Sequence, residues 1–167
     1  MKQPRSNQKN LSKAPQNVRI IAGQWRGRLL PVAQADGLRP TANRVRETLF
    51  NWLQFDIHGR SCLDLFSGSG ALGFEAASRG AIMVTLVVRA APISNILRQQ
   101  VTALSAVQVE VIQADALSFI KTCEQRYDLI FLDPPFQHFM ISEILDAVLA
   151  ADIINSDGII YLEAERN

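Results

Sequence analysis

From residue 62 onward, short apolar runs alternate with longer stretches of helical period. The runs 62–66, 82–88, 107–112, 127–132 and 159–162 read as five strands. Residues 71–79, 93–104, 116–123 and 141–150 lie between or beside them and read as helices. Alternation of this kind predicts an α/β fold with a mainly parallel sheet, helices on both faces and right-handed crossovers. Ahead of it, 18–21 and 28–31 alternate like two short strands around Gly23-Gln24-Trp25-Arg26-Gly27, a small β-hairpin arm. Residues 37–40 read as a loop. Thr41 is placed to cap a helix running to residue 54, with Val45, Leu49, Trp52 and Leu53 on one face. Residues 1–16 are polar and read as a disordered tail. The division expected is a basic tail over 1–16, an arm over 17–38 and the α/β domain over 39–167.

A chain of 167 residues has room for one domain with a real core. No apolar run approaches the ~20 residues that cross a bilayer, so no membrane role is expected. The first residues are polar and basic and lack the apolar stretch of a secretory signal, which points to a cytoplasmic protein. Cys62 and Cys123 are too few for a disulfide framework and lack metal-ligand spacing, so both are expected in the core and no metal is expected.

The net charge of +1 conceals a division. Residues 1–46 carry ten basic side chains and one acid, Asp36, a balance of +9; the remaining 121 residues balance at −8. A polyanion is therefore drawn to one end of the molecule. Arg19, Arg26 and Arg28 lie in the strand-like arm and are the candidates for phosphate contacts. Trp25 between them suits either a base-stacking or a core position.

Two loops sit where ligands of parallel sheets bind, outside the carboxyl ends of strands. The first, Asp64-Leu65-Phe66-Ser67-Gly68-Ser69-Gly70-Ala71-Leu72-Gly73, leaves a strand and enters a helix. Gly68, Gly70 and Gly73 match the G-x-G-x-x-G pattern, which lets backbone approach a ligand closely at a helix N-terminus. A nicotinamide enzyme is the rival reading. Asp64 argues against it, because a carboxylate before the turn repels a pyrophosphate but accepts hydrogen bonds from an ammonium group. S-adenosylmethionine carries an amino acid end and no phosphate. Asp115, after the third strand of the domain, suits an adenine amino group or a helix N-cap equally.

The second loop is Asp133-Pro134-Pro135-Phe136. The two prolines lack N–H groups and stiffen the chain, fixing its carbonyls. A carboxylate (Asp133), a rigid carbonyl (Pro134) and a flat ring (Phe136) together suit a planar substrate bearing an NH₂ group. That is chemistry on a nucleobase, with the base turned out of its stack.

Three blocks then carry a family resemblance. They are Arg39-Pro40-Thr41 with Arg44-Val45-Arg46-Glu47-Thr48-Leu49-Phe50-Asn51-Trp52-Leu53, the glycine loop, and Asp133-Pro134-Pro135-Phe136. From Val18 to its end the chain resembles the bacterial 16S ribosomal RNA guanine-N2 methyltransferases that act on guanine 966 of the small-subunit RNA. The resemblance implies a Rossmann-like methyltransferase fold, S-adenosylmethionine as methyl donor, and 16S ribosomal RNA within 30S particles as partner, with the enzyme a monomer. It implies that Asp64, Gly68 and Gly70 hold the methionine part and Asp115 the adenine. It also implies that Arg39 and Thr41 lie near the cofactor's amino acid end and that Asp133, Pro134 and Phe136 hold the target base.

Two departures shape the alternatives. The family pattern has an acid at the end of the second strand of the domain, to accept ribose hydroxyls; here Val88 stands at that position and Ala90 at a later one. Such a loss costs roughly 1–3 kcal/mol of binding. The chain also ends soon after the fifth strand, where family members continue into a closing pair, which leaves the expectation of an exposed sheet edge. The alternative readings are a catalytically weakened or inactive RNA-binding relative, and a DNA amino-methyltransferase that shares the Asp-Pro-Pro-Phe logic.

Overall fold

The structure, a computed structural model, describes residues 17–33, 42–135 and 138–163, and of 138–140 the backbone only. The tail over 1–16, the 37–40 loop and Thr41 lie outside these residues. Two strands, β1 (Asn17–Arg19) and β2 (Leu29–Pro31), pair antiparallel as the hairpin. Helix α1 (Asn43–Trp52) follows, and then β3 (Ser61–Asp64), α2 (Ala71–Ser78), β4 (Met83–Val88), α3 (Ala91–Ala103), β5 (Val109–Gln113), α4 (Ala116–Thr122), β6 (Tyr127–Leu132), α5 (His138–Ala150) and β7 (Ile154–Leu162). The five later strands form one parallel sheet in the order β5-β4-β3-β6-β7.

Side-chain alternation divides this sheet between two cores. Cys62, Val84, Leu86, Val109, Leu129 and Phe131 face the layer built by the hairpin and α1 to α3. Leu63, Val87, Ile130 and Leu132 face α4 and α5. Strands buried on both faces explain the continuous apolar runs. The hairpin does not project: Val18, Ile20, Trp25 and Leu30 belong to the first core. Trp25 is thus a core side chain and is closed to base stacking. Cys62 is buried, whereas Cys123 is partly exposed.

Two elements differ from expectation. Helix α1 starts after Ala42, with no side-chain cap. It buries Arg46, Leu49 and Phe50, followed by Leu53, while Val45 is exposed and Trp52 is 72% exposed. The buried stripe is displaced because the Arg46 guanidinium finds internal acceptors, donating to the Arg19 carbonyl at 3.0 Å and to Asn43 Oδ1 at 2.6 Å. Strand β7 starts at Ile154 rather than 159. Tyr127 pairs with Ile154 and Leu129 with Ile159, so the polar residues 155–158 bulge out of the ladder.

Candidate active site

The sheet order reverses between β3 and β6, so a crevice opens at their carboxyl ends. This reversal brings together the two loops that stand far apart in sequence. Asp64, the last residue of β3, lies in register with Phe131, and the Leu65 amide donates to the Phe131 carbonyl at 3.3 Å. Asp133 follows two residues after Phe131 and acts electrostatically on Asp64.

Local bonds shape the glycine loop. The Ser67 amide donates to the Val87 carbonyl at 3.0 Å, and Ser67 Oγ donates to the Asp64 carbonyl at 2.9 Å. The Gly70 amide donates to the Ser67 carbonyl at 2.7 Å. Gly70 opens α2 in the left-handed region, at φ +78°, and a Cβ there would stand 2.6 Å from the Phe74 ring. At the start of α2, Ser69 Oγ accepts from the Ala71 amide at 3.4 Å, and the Gly73 amide donates to the Asp64 carboxyl.

Asp64 is 1% exposed, and its Oδ1 has no hydrogen-bond partner among the described residues. Burial, and then the nearby Asp133, push its carboxyl up to about 7, against the opposing pull of the Phe66 and Gly73 amides. A desolvated carboxylate oxygen without a bond of its own at a helix start is costly unless a cation meets it. It fits the amino acid end of S-adenosylmethionine, whose ammonium supplies the missing donors and whose carboxylate suits the helix amides. A pyrophosphate meets repulsion at the same place.

The base-side loop begins with Asp133 and Pro134, both half-buried, and Pro135, which is exposed. Sequence reasoning missed the partner of Asp133. β7 lies beside β6, and the Glu163 amide donates to the Leu132 carbonyl at 3.0 Å, which places Glu163 alongside Asp133. Their carboxyls share a hydrogen bond; burial and then the charge of Asp133 raise the Glu163 carboxyl above its usual range. Tyr161 donates its hydroxyl to Glu163 Oε2 at 3.5 Å. Burial and the neighbouring Glu163 push that phenol up to about 12. The only sequence signal for Glu163 was an acid ending the last strand, and without strand order it had no addressee. Beside Tyr161, a depression of about 280 Å³ is lined by Arg44, Val45, Thr48, Leu49 and Trp52.

The remaining expected residues scatter around this crevice. Asp115 caps α4, accepting from the Ser118 amide at 3.2 Å and from its hydroxyl at 3.4 Å. It lies just beyond the carboxyl end of β5. Val88 ends β4 as a buried residue, in register with Gln113, while Ala90 is exposed. Arg19, Arg26 and Arg28 are exposed on the hairpin. Arg28 donates to the Ala103 carbonyl at 3.3 Å and Arg19 to the Gly27 carbonyl at 3.2 Å. Arg46, by contrast, is fully buried and takes no part in the basic surface. Arg39, Thr41 and Phe136 lie outside the described residues.

Comparison with known proteins agrees with this geometry. Residues 18–167 match the family model described as Conserved hypothetical protein 95. The chain is 44% identical over 154 residues to the Haemophilus influenzae ribosomal RNA small subunit methyltransferase D, a match covering 90% of this chain and 80% of that one. It is 43% identical to the Escherichia coli protein of the same name, with 89% and 75% covered. A solved Escherichia coli structure named for a methyltransferase, yhhF, superposes with a TM-score of 0.84 at 42% identity, covering 91% of this chain and 83% of that one. The fold is the Rossmann-like fold of S-adenosylmethionine-dependent methyltransferases. On these matches the chain belongs to the Conserved hypothetical protein 95 family of methyltransferases, as a homologue of ribosomal RNA small subunit methyltransferase D.

Proposed function

We propose that the chain methylates the exocyclic N2 amine of a guanine in 16S ribosomal RNA, acting on 30S particles in the cytoplasm as a monomer. The family resemblance points to guanine 966. The observation that carries this reading is the meeting of Asp64 and Asp133 at the point where the sheet order reverses. One carboxylate suits a cationic donor and the other a base amine.

Bound in the crevice, S-adenosylmethionine supplies an electrophilic methyl group on sulfur. Asp64 binds the ammonium end, with Gly68 and Gly70 letting the backbone close on it. Arg39 and Thr41 stand near the same end, and Asp115 takes the adenine amino group. Asp133 and the Pro134 carbonyl each accept a hydrogen bond from the guanine NH₂, and Phe136 stacks on the base. An exocyclic amine is a poor nucleophile because its lone pair is delocalised into the ring. Two acceptors held off the ring plane draw the nitrogen toward tetrahedral geometry and free that pair. Asp133 then receives the proton that the methylated amine sheds. Most of the rate comes from this positioning and from fixed charge. Arg19, Arg26 and Arg28 hold phosphates and set the register of the RNA.

The test is transfer of labelled methyl from S-adenosylmethionine to 30S particles lacking the modification, compared with naked 16S RNA and duplex DNA, followed by nucleoside analysis. N2-methylguanosine from the particles is the expected product. Label in adenine or cytosine, or better activity on DNA, sinks the proposal. A second reading, a catalytically weakened RNA-binding relative, is favoured by buried Val88 at the end of β4. Calorimetry separates the two: no cofactor binding at millimolar concentration supports the weakened relative.

A further inference from the structure

Helix α2 carries a fully buried glutamate that the proposed chemistry does not use. Both Glu75 oxygens accept from the Ile21 amide of the hairpin, at 3.1 and 3.0 Å. Arg79 donates to the same carboxylate from Nε at 3.3 Å and Nη2 at 3.1 Å, and its guanidinium lies 4.9 Å from the Phe50 ring centre. The Glu75 charge also offsets part of the desolvation of buried Arg46, which holds the Arg19 carbonyl.

One turn further along, Ser78 makes a second clamp. Its hydroxyl accepts from the Trp25 amide at 2.9 Å and donates to the Ala22 carbonyl at 2.7 Å. Its own carbonyl accepts from the Gln24 amide at 2.8 Å. The hairpin turn lies so close that a Cβ on Gly23 would sit 2.0 Å from that carbonyl. The groups bonded to α2 lie near the exposed cations: Ile21 is two residues from Arg19, and Trp25 precedes Arg26. Arg46 of α1 holds the Arg19 carbonyl, and within the hairpin the Ile20 amide donates to the Arg28 carbonyl at 2.9 Å.

The other end of α2 is the glycine turn at Gly70. Eight residues separate Gly70 from Ser78, a rise of about 12 Å. We propose that α2 works as a ruler, in which Glu75 and Ser78 are positioning residues that fix the basic face of the hairpin relative to the methyl-transfer centre. The inference rests on the ribosomal RNA reading above. Apolar packing alone holds a hairpin without fixing its register, because it has no preferred direction. Directional bonds to buried charge fix it, at a cost in desolvation that stability alone does not require.

The experiment compares native protein with Ser78→Ala and Glu75→Gln, measuring cofactor affinity, kcat and KM for 30S particles, and amide hydrogen exchange. Ser78→Ala should speed exchange at Trp25 and raise KM roughly tenfold, as small misplacements of a bound substrate do. Its kcat and cofactor affinity should hold. Glu75→Gln keeps an acceptor for Ile21 but removes the charge that faces Arg79 and buried Arg46, and should speed exchange at Ile21 and raise KM at least as far as Ser78→Ala. Faster hairpin exchange with KM unchanged overturns the inference. So does a parallel loss of kcat, cofactor affinity and protection throughout the sheet, which marks general destabilisation. Native protein inactive on 30S particles overturns the ribosomal RNA reading and this inference together; an active native protein with an unshifted Ser78→Ala overturns the inference alone.

Discussion

Replacing Asp64 with Asn should remove the proton linkage that the proposed cofactor contact predicts for the native chain. The Asp64 carboxyl, buried and facing Asp133, is raised to about 7. An α-amino group loses its proton at about 7.7–8.0. The productive pair is carboxylate with ammonium, so affinity should climb as Asp64 ionises and decline once the ammonium deprotonates. At pH 6 roughly a tenth of the empty sites are ionised, and at pH 7 roughly half, which gives about a fivefold gain in affinity over that unit. The optimum should lie near pH 7.4, midway between the two titrations. Binding at pH 6 should therefore release about 0.9 of a proton. Calorimetry in buffers of different ionisation enthalpy measures that release directly. Asp64→Asn should bind more weakly, with no release at pH 6. The same raised carboxyl affects folding. The folded chain keeps its Asp64 proton longer than the unfolded chain, so this group's contribution falls as pH rises from about 4 to 7. Asp64→Asn lacks that loss. Its stability relative to the native protein should rise across the same window, by at most about 4 kcal/mol. Proton release below ~0.2 at pH 6, or the same release in the variant, would refute the reasoning.

Three further outcomes are expected. Val88→Glu puts an acid where the proposed reading expects a ribose contact and should tighten cofactor binding by about tenfold or more, while lowering the melting temperature because Val88 is buried; an unchanged dissociation constant removes the ribose argument. Gly70→Ala forces a side chain into left-handed backbone against Phe74 and Leu97, and should cost roughly 1–3 kcal/mol in thermal unfolding; an unshifted melting curve contradicts the strain. Glu163 shares its proton with Asp133, so native activity should fall as pH rises through the elevated Glu163 titration and two carboxylates come to face each other. Glu163→Gln keeps a donor without titrating and should lose that alkaline limb; superimposable pH–rate profiles would exclude the role.

What the sequence disclosed and what it hid follow one physical line. Tyr127–Leu132 was legible to the residue because, Asp128 apart, it is the unbroken apolar run of a strand buried on both faces. Residues 155–158 were not, since Asn-Ser-Asp-Gly has the chemistry of a turn and only the neighbouring β6 holds it in a bulged strand. The burial of Arg46 and Glu75 was hidden for a shared reason. A charged residue is assigned to the surface by default, and its burial depends on partners more than 25 residues away in the chain. Asp64 was marked as a candidate ammonium acceptor by its place before a glycine turn. Its burial and the proximity of Asp133 were not legible, because both depend on β6 lying next to β3. Glu163 needed one further neighbour relation, β7 beside β6.

Strand order also resolves a conflict of charge in the proposed reaction. The donor is a cation and the substrate a polyanion, yet both must reach one crevice. Three acids, Asp64, Asp133 and Glu163, end or follow the adjacent strands β3, β6 and β7, where the last two share a hydrogen bond. Their combined field attracts a sulfonium and an ammonium and repels phosphate. A phosphate backbone is therefore unfavourable at the carboxyl edge itself, and only an uncharged base extruded from its strand can enter. The three arginines proposed to hold phosphate, Arg19, Arg26 and Arg28, stand elsewhere, on the hairpin, which α2 holds by Glu75 and Ser78. Separating the charges in this way lets each reactant find its own site without weakening the other. It also makes their spacing a requirement of the chemistry, since a base turned out of its strand reaches only as far as its backbone is held. A rigid helix running between the glycine turn and the hairpin clamp meets that requirement.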